Sequence, residues 1–177
     1  AEPLTKLASI IKIPAFVLQE VLTYRVECVE GADLHKDFLA KHNKLTPVVV
    51  SHAHSHYRTT LSAHVNELVS YGCIVFTVDH TDKSCIGYTD YNQDPPKFIH
   101  FEDYADKKRD ISQTEYHKNN IEIRVKDMQY LLDFIKEEFS DHPWHIDFNK
   151  FVAFGHSMGG SLAVELCKRF PEEFKLC

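Results

Sequence analysis

The chain is poor in the residues that announce several common chemistries. Its five cysteines, Cys28, Cys73, Cys85, Cys167 and Cys177, form no C-x-x-C pair, so neither a zinc ribbon nor a dithiol redox motif is expected. Their odd number and scattered positions favour free thiols in a reducing compartment. No N-x-S/T sequon occurs, which leans the expected location towards the cytoplasm or another intracellular compartment, with secretion left open. The start, Ala1-Glu-Pro3, shows no signal peptide, and a cleaved one would leave no trace. No apolar run reaches the ~18 residues of a membrane span. Basic residues are also short: 20 Lys and Arg face 26 Asp and Glu, giving a net charge of -6 and a pI near 6.0. No basic stripe is available to neutralise phosphates, which argues against nucleic acid as a partner.

What the chain does hold is one stretch with a chemical signature. Phe151-Val-Ala-Phe154 is apolar and rich in strand formers, and Gly155-His-Ser-Met-Gly159 follows as a G-x-S-x-G. Leu162, Val164, Leu166 and Phe170 then suit one side of a short helix, bounded by Pro171. Strand, sharp turn with serine, helix is the nucleophile elbow of an α/β-hydrolase. Ser157 must project its hydroxyl from the tip of a tight turn, so Gly155 and Gly159 stand where a Cβ would clash. The new helix aims its N–H groups and positive dipole end back at the site, which places the Met158 N–H towards a developing oxyanion.

A length of 177 residues, 44% hydrophobic and 26% charged, suits one globular domain. Leu4 to Val26 carries a mostly apolar pattern in which Pro14 stands near a start followed by about three helical turns, a core helix or a lid over an acyl pocket. Ala32 to Asn43 is expected as a polar loop or helical turn. Leu45 to Ser51 is expected as a buried strand beginning after Pro47, Thr59 to Tyr71 as a helix stopped by Gly72, and Cys73 to Asp79 as a second strand. Strand, helix, strand within about thirty residues is a βαβ unit and implies a parallel sheet. Residues 81–112 look like an excursion loop over one end of the sheet. Thr114 to Phe139 is expected as a long helix with an apolar stripe of Ile121, Val125, Met128, Leu131, Leu132 and Ile135. The division is then one partial domain over 1–177, with a lid-like segment 1–44 and a βαβ core 45–177.

Beyond the elbow, several stretches resemble the platelet-activating-factor acetylhydrolase family, in its secreted and intracellular type-II branch. They are Ile13–Leu18, Val48–His52, Tyr57–Ala63, Gly72–His80, Asp82–Ser84, Arg124–Asp127 and Gly155–Gly160, in family order. The resemblance implies an α/β-hydrolase-like parallel sheet with flanking helices. That sheet would be incomplete, lacking the strands after the nucleophile helix except for the start of one at Phe174–Cys177. It implies that Ser157 is the nucleophile, that Met158 supplies one oxyanion N–H, and that the backbone of His54 supplies the other. It implies hydrolysis of short or oxidised sn-2 acyl groups of phospholipids, a phospholipid or membrane-surface partner, and no metal or other cofactor.

Two features depart from that family. Its glycine-bearing turn, H-G-x-G, is here His52-Ala-His-Ser55. If either replaced glycine needs positive φ, the substitution strains the turn by roughly 1 kcal/mol. A misaimed oxyanion donor would cost ~10²–10³ in turnover. The second departure is that residues 158–177 contain no histidine, so the acid and base are expected outside this chain, which reads as the middle of a longer protein with little turnover by itself. Two rival readings follow. A hydrolase fold without its base can serve as a binding or structural subunit in a larger complex. Alternatively His52, His54 and His56, alternating after a strand, share one face of an extended segment and could hold zinc with an activated water.

Overall fold

Val48, Val49 and Val50 are β-branched, favour extended backbone, and are all buried, which makes β1 (Thr46–Ser51) a central strand. The structure, a computed structural model, describes residues 5, 8–9, 12–18, 28–33, 36–41, 44–102, 104, 111–142 and 145–177. Before β1 these include a single 3-10 turn at Ala15–Leu18 and a short helix, α1 (Lys36–Lys41). The expected three-turn helix after Pro14 is thus a 3-10 turn as far as Leu18. Its continuation, and most of the lid-like segment 1–44, lie outside the described residues.

After β1 come α2 (Ser62–Ser70), β2 (Cys73–Thr77), β3 (Gly87–Asp90), β4 (Lys97–His100) and α3 (Gln113–Glu138). The elbow strand β5 (Phe151–Gly155), α4 (Met158–Arg169) and β6 (Phe174–Leu176) complete the order. Four strands form one sheet in the order β2-β1-β5-β6, with every pair parallel. The fold is therefore α/β, a parallel sheet with flanking helices. β1 starts at Thr46, one residue before Pro47 rather than after it. Proline is tolerated there because Pro47 pairs only with Ile74 of β2, and the β5 ladder begins at Val48. Gly72, at φ 89, ends α2 as expected and donates to the Val69 carbonyl at 2.9 Å.

Period-two alternation sorts the side chains between two cores. Val49, Phe151 and Ala153 face α3 and α4, packing with Val125, Met128, Leu132 and Ile135 of α3 and Leu162 and Leu166 of α4. Val48 and Val50 face the other way onto Leu61, Leu68, Val75 and Phe154, beside α2. The stripe read on α3 is thus the core stripe, and Ser112 caps that helix by accepting the Glu115 N–H at 3.2 Å. Two expectations need correction. Val164 does not lie on the buried side of α4; it is 57% exposed, because at 3.6 residues per turn Leu162, Ala163 and Leu166 share a face that position 164 does not. The excursion at 81–112 is not all loop; β3 and β4 pair antiparallel as a hairpin, from Gly87↔His100 to Asp90↔Lys97. No helix among the described residues is long and apolar enough to cross a membrane.

Phe151 is fully buried and touches rings from both flanks, Phe148 and Phe174. Phe151→Ala should lower the unfolding free energy by about 3–5 kcal/mol. A denaturant midpoint shift at constant slope would measure it.

Candidate active site

β1 connects through α2 to one side of the sheet, whereas β5 connects through α4 on the opposite face. The chain therefore diverges between β1 and β5, and a crevice opens beyond their carboxyl ends, where ligands bind in such sheets. Ser51 pairs with Gly155 at the last rung, so the turn after β1 and the elbow after β5 stand side by side.

Ser157 caps α4 with φ 55 and ψ -118, a region a non-glycine residue occupies only under constraint. It is exposed, and the surrounding backbone leaves no slack. A Cβ on Gly155 would lie 2.2 Å from the Gly159 carbonyl carbon, and a Cβ on Gly159 would lie 2.1 Å from the Ser51 oxygen. The His156 N–H reaches the Ser51 carbonyl at 3.4 Å, the Gly159 N–H reaches His156 O at 2.9 Å, and the Ser161 N–H reaches Ser157 O at 3.1 Å. Met158 opens the helix, so its N–H has no intrahelical acceptor. A cleft of about 890 Å³ is bounded by Ser157, Met158 and Ser161, by His54, and by Thr114, His117, Lys118 and Ile121 along α3. Arg169, at another wall, is tied to Glu122 and Glu165.

The turn His52–Ser55 carries the second predicted contributor. Ser55 sits at φ 57, so one of the two substituted positions does hold a left-handed residue, at a cost of roughly 1–2 kcal/mol. Ala53 has no such φ. The strain at Ser55 is offset by its N–H, which donates to Ser84 O at 2.7 Å. The His54 ring is wedged edge-on against Phe101 and His117, at centroid distances of 5.2 and 5.9 Å, and both His54 and His117 border the cleft.

Beneath this turn lies a buried polar knot that the sequence reading did not assemble. Arg124, fully buried, donates from Nε to Asp82 Oδ2 at 2.7 Å, from Nη2 to Ser84 Oγ at 2.5 Å, and from Nη1 to His52 O at 2.7 Å and Ser51 Oγ at 3.3 Å. Asp82 also accepts the Ser84 hydroxyl and N–H. Burial by itself would raise the Asp82 carboxyl, but the guanidinium and the Ser84 donors outweigh it and hold it below the usual range. Removing one partner of such a buried pair costs about 3–5 kcal/mol.

The knot extends through Ser51 to His80, whose Nε2 lies 2.8 Å from Ser51 Oγ and whose Nδ1 lies 3.0 Å from Asp127 Oδ2. A serine, a histidine and a carboxylate in line resemble a catalytic triad, yet Ser51 and His80 are shut off from solvent. His80 is therefore closed off from the cleft, and its contacts support structure. The signal for the knot was on α3 all along: Arg124 occupies the same face as Met128, a charged residue on a core stripe.

The zinc reading fails on the same geometry. His52 Nδ1 donates to Ala53 O at 2.7 Å and its Nε2 accepts the His80 N–H at 3.2 Å, so both ring nitrogens are spent internally. His54 turns into the aromatic cluster, and His56 Nδ1 donates to His54 O at 2.8 Å. The three rings do not converge, and no set of three metal-ligating side chains gathers among the described residues.

A family model described as platelet-activating factor acetylhydrolase, isoform II, matches residues 2–144. The match covers the turn, the knot and α3 and stops short of the elbow, whose identification rests on geometry. No curated protein matched the chain.

Two outcomes follow from this packing. Gly159→Ala pushes a methyl into the backbone of β1 and should destabilise by about 3 kcal/mol or more, whereas Gly160→Ala meets only Gly155 O at 3.4 Å and should be tolerated within ~1 kcal/mol. Denaturation of the pair side by side measures the contrast. The second concerns acid. Burial, reinforced by Arg124, pushes His52 down to about 3, and burial lowers His80 as well, against the pull of Asp127. The unfolded chain accepts protons near 6.5 that the folded protein refuses. Stability should therefore be full above about pH 6.5 and decline below it, by up to about 1.4 kcal/mol per pH unit for each histidine. A denaturation series from about pH 7.5 to about pH 4.5 tests this, and a flat profile would mean that the folded protein binds these protons.

Proposed function

The chain belongs to the platelet-activating factor acetylhydrolase, isoform II, family, whose members are phospholipid acyl hydrolases, and from that premise we propose that Ser157 is the nucleophile of a serine esterase. The observation that carries this is the left-handed Ser157 at the mouth of α4, exposed into a cleft and forced there by two glycines. Packing alone gives no reason to hold a serine so, and nucleophile elbows do.

In this reading Ser157 Oγ attacks the sn-2 ester carbonyl of a phospholipid bearing a short or oxidised acyl group. As the carbonyl oxygen gains charge, the N–H groups of Met158 and His54 donate to it. The proton of Ser157 passes to a histidine supplied from outside residues 1–177, oriented by a carboxylate also outside them. The tetrahedral adduct collapses as the histidine gives its proton to the departing sn-2 oxygen, so the lysophospholipid leaves as the alcohol. Water, deprotonated by the same histidine, then attacks the acyl-Ser157, and Ser157 Oγ regains the proton as the free acid departs. Apolar Ile121, Met158 and Val164 on the cleft wall suit the acyl chain, and the polar groups along α3 suit the remainder of the lipid. In this reading residues 45–177 form the core that carries the nucleophile and the oxyanion donors.

A fluorophosphonate probe should label the protein once, at Ser157, as located by peptide mass spectrometry. Ser157→Ala should abolish labelling and leave the unfolding midpoint within ~0.5 kcal/mol of the parent, because the side chain is exposed. A folded protein, supplied with the histidine-bearing remainder, that took no label would favour a binding or structural role.

A further inference from the structure

The turn that carries His54 lies outside helix and strand and is closed locally by the Ala53 carbonyl, which accepts from the His56 N–H at 3.3 Å and from His52 Nδ1 at 2.7 Å. Yet an oxyanion donor must also be aimed to within a fraction of an ångström relative to the cleft. Its two ends are pinned. At the near end the His52 carbonyl accepts from Arg124 Nη1 at 2.7 Å. At the far end the Ser55 N–H donates to the Ser84 carbonyl at 2.7 Å. These two pins are one object, because Asp82 and Ser84 grip the same guanidinium that holds His52. The peptide carrying the His54 N–H spans the gap between them.

We infer that Arg124, locked by Asp82 and Ser84, is the positioning residue that aims the His54 amide into the cleft. This rests on the reading of Ser157 given above. Arg124 touches no substrate: it is fully buried and is not part of the cleft wall. A planar fork with donors in three directions is required, since one guanidinium serves a carboxylate, a hydroxyl and a backbone carbonyl at once. Lysine would keep the charge and lose the fork. The strain at Ser55 fits the same role, since a left-handed serine persists only where its neighbours overdetermine it.

The test uses three variants and two readouts. Arg124→Met alone leaves Asp82 as a buried, uncompensated charge, so the neutral pair Arg124→Met with Asp82→Asn is made instead, beside Arg124→Lys. A remote core variant, Leu132→Ala, supplies a destabilised control. Ser157 labelling by a fluorophosphonate should slow by roughly 10²-fold in the neutral pair. It should slow less in Arg124→Lys and stay near the parent rate in Leu132→Ala. Hydrogen exchange of the peptide covering His52–Tyr57 should rise in the two Arg124 variants and not in Leu132→Ala. If the neutral pair does not fold, Arg124→Lys carries both readouts. Labelling and exchange at parent values in a folded Arg124 variant would overturn the inference. So would equal losses in Leu132→Ala, which would reduce Arg124 to general stability. All labelling is done with the acid and base supplied; if the parent so supplied takes no label, the reading of Ser157 fails, and the exchange readout still decides whether Arg124 sets the turn.

Discussion

The backbone contact between the start of α4 and the end of β1 governs this molecule. Gly159 lies so close to the Ser51 and His52 carbonyls that no side chain fits between them. Parallel strands stand about 5 Å apart, and a helix above them about 10 Å, unless small residues let backbones touch. Here they touch at the rung where β1 and β5 part company. The elbow and the turn after β1 thus become one rigid unit, although a hundred residues of chain separate them. The left-handed Ser157 and its exposed hydroxyl both follow from that approach.

A second layer secures the turn from below. It is polar where a core is usually apolar, and it survives because nearly every group in it is matched. Arg124 offers donors and finds Asp82, Ser84, Ser51 and His52; the two histidines each donate from Nδ1 and accept at Nε2. Such a network gives little net stability over an apolar replacement, but it admits only one arrangement of its members. That trade suits a surface feature whose value lies in where its atoms point.

How much of this was legible in the chain depended on whether the relevant signal was local. The elbow was, because strand formers, two glycines and a helix pattern fall within twenty consecutive residues. The βαβ unit and the stripe on α3 were, because periodicity is a local property. The β3–β4 hairpin was not: Tyr88, Phe98 and their neighbours alternate poorly, and the turn between them, with Asp94-Pro-Pro96, carries no two-residue hairpin signal. The exposure of Val164 was misjudged because apolar character was counted without the 100° rotation per residue. The knot was least legible. Asp82, Ser84 and Arg124 could each be seen to match a family stretch, but a pairing across 42 positions has no periodic trace. The triplet His52, His54 and His56 misled for the converse reason: it looks like a ligand set on paper, and the chain turns after β1 in a way that sends each ring elsewhere.

One helix serves three masters. Over its 26 residues, α3 borders the cleft with Thr114, His117 and Ile121, anchors the knot with Arg124 and Asp127, and seals the sheet with Met128, Leu132 and Ile135. All three duties share a single screw axis. Inserting or deleting one residue between His117 and Ile135 would swing everything on one side of the change by about 100° relative to the other. The β3–β4 hairpin shares none of these duties, but the rod from His117 to Ile135 is indivisible.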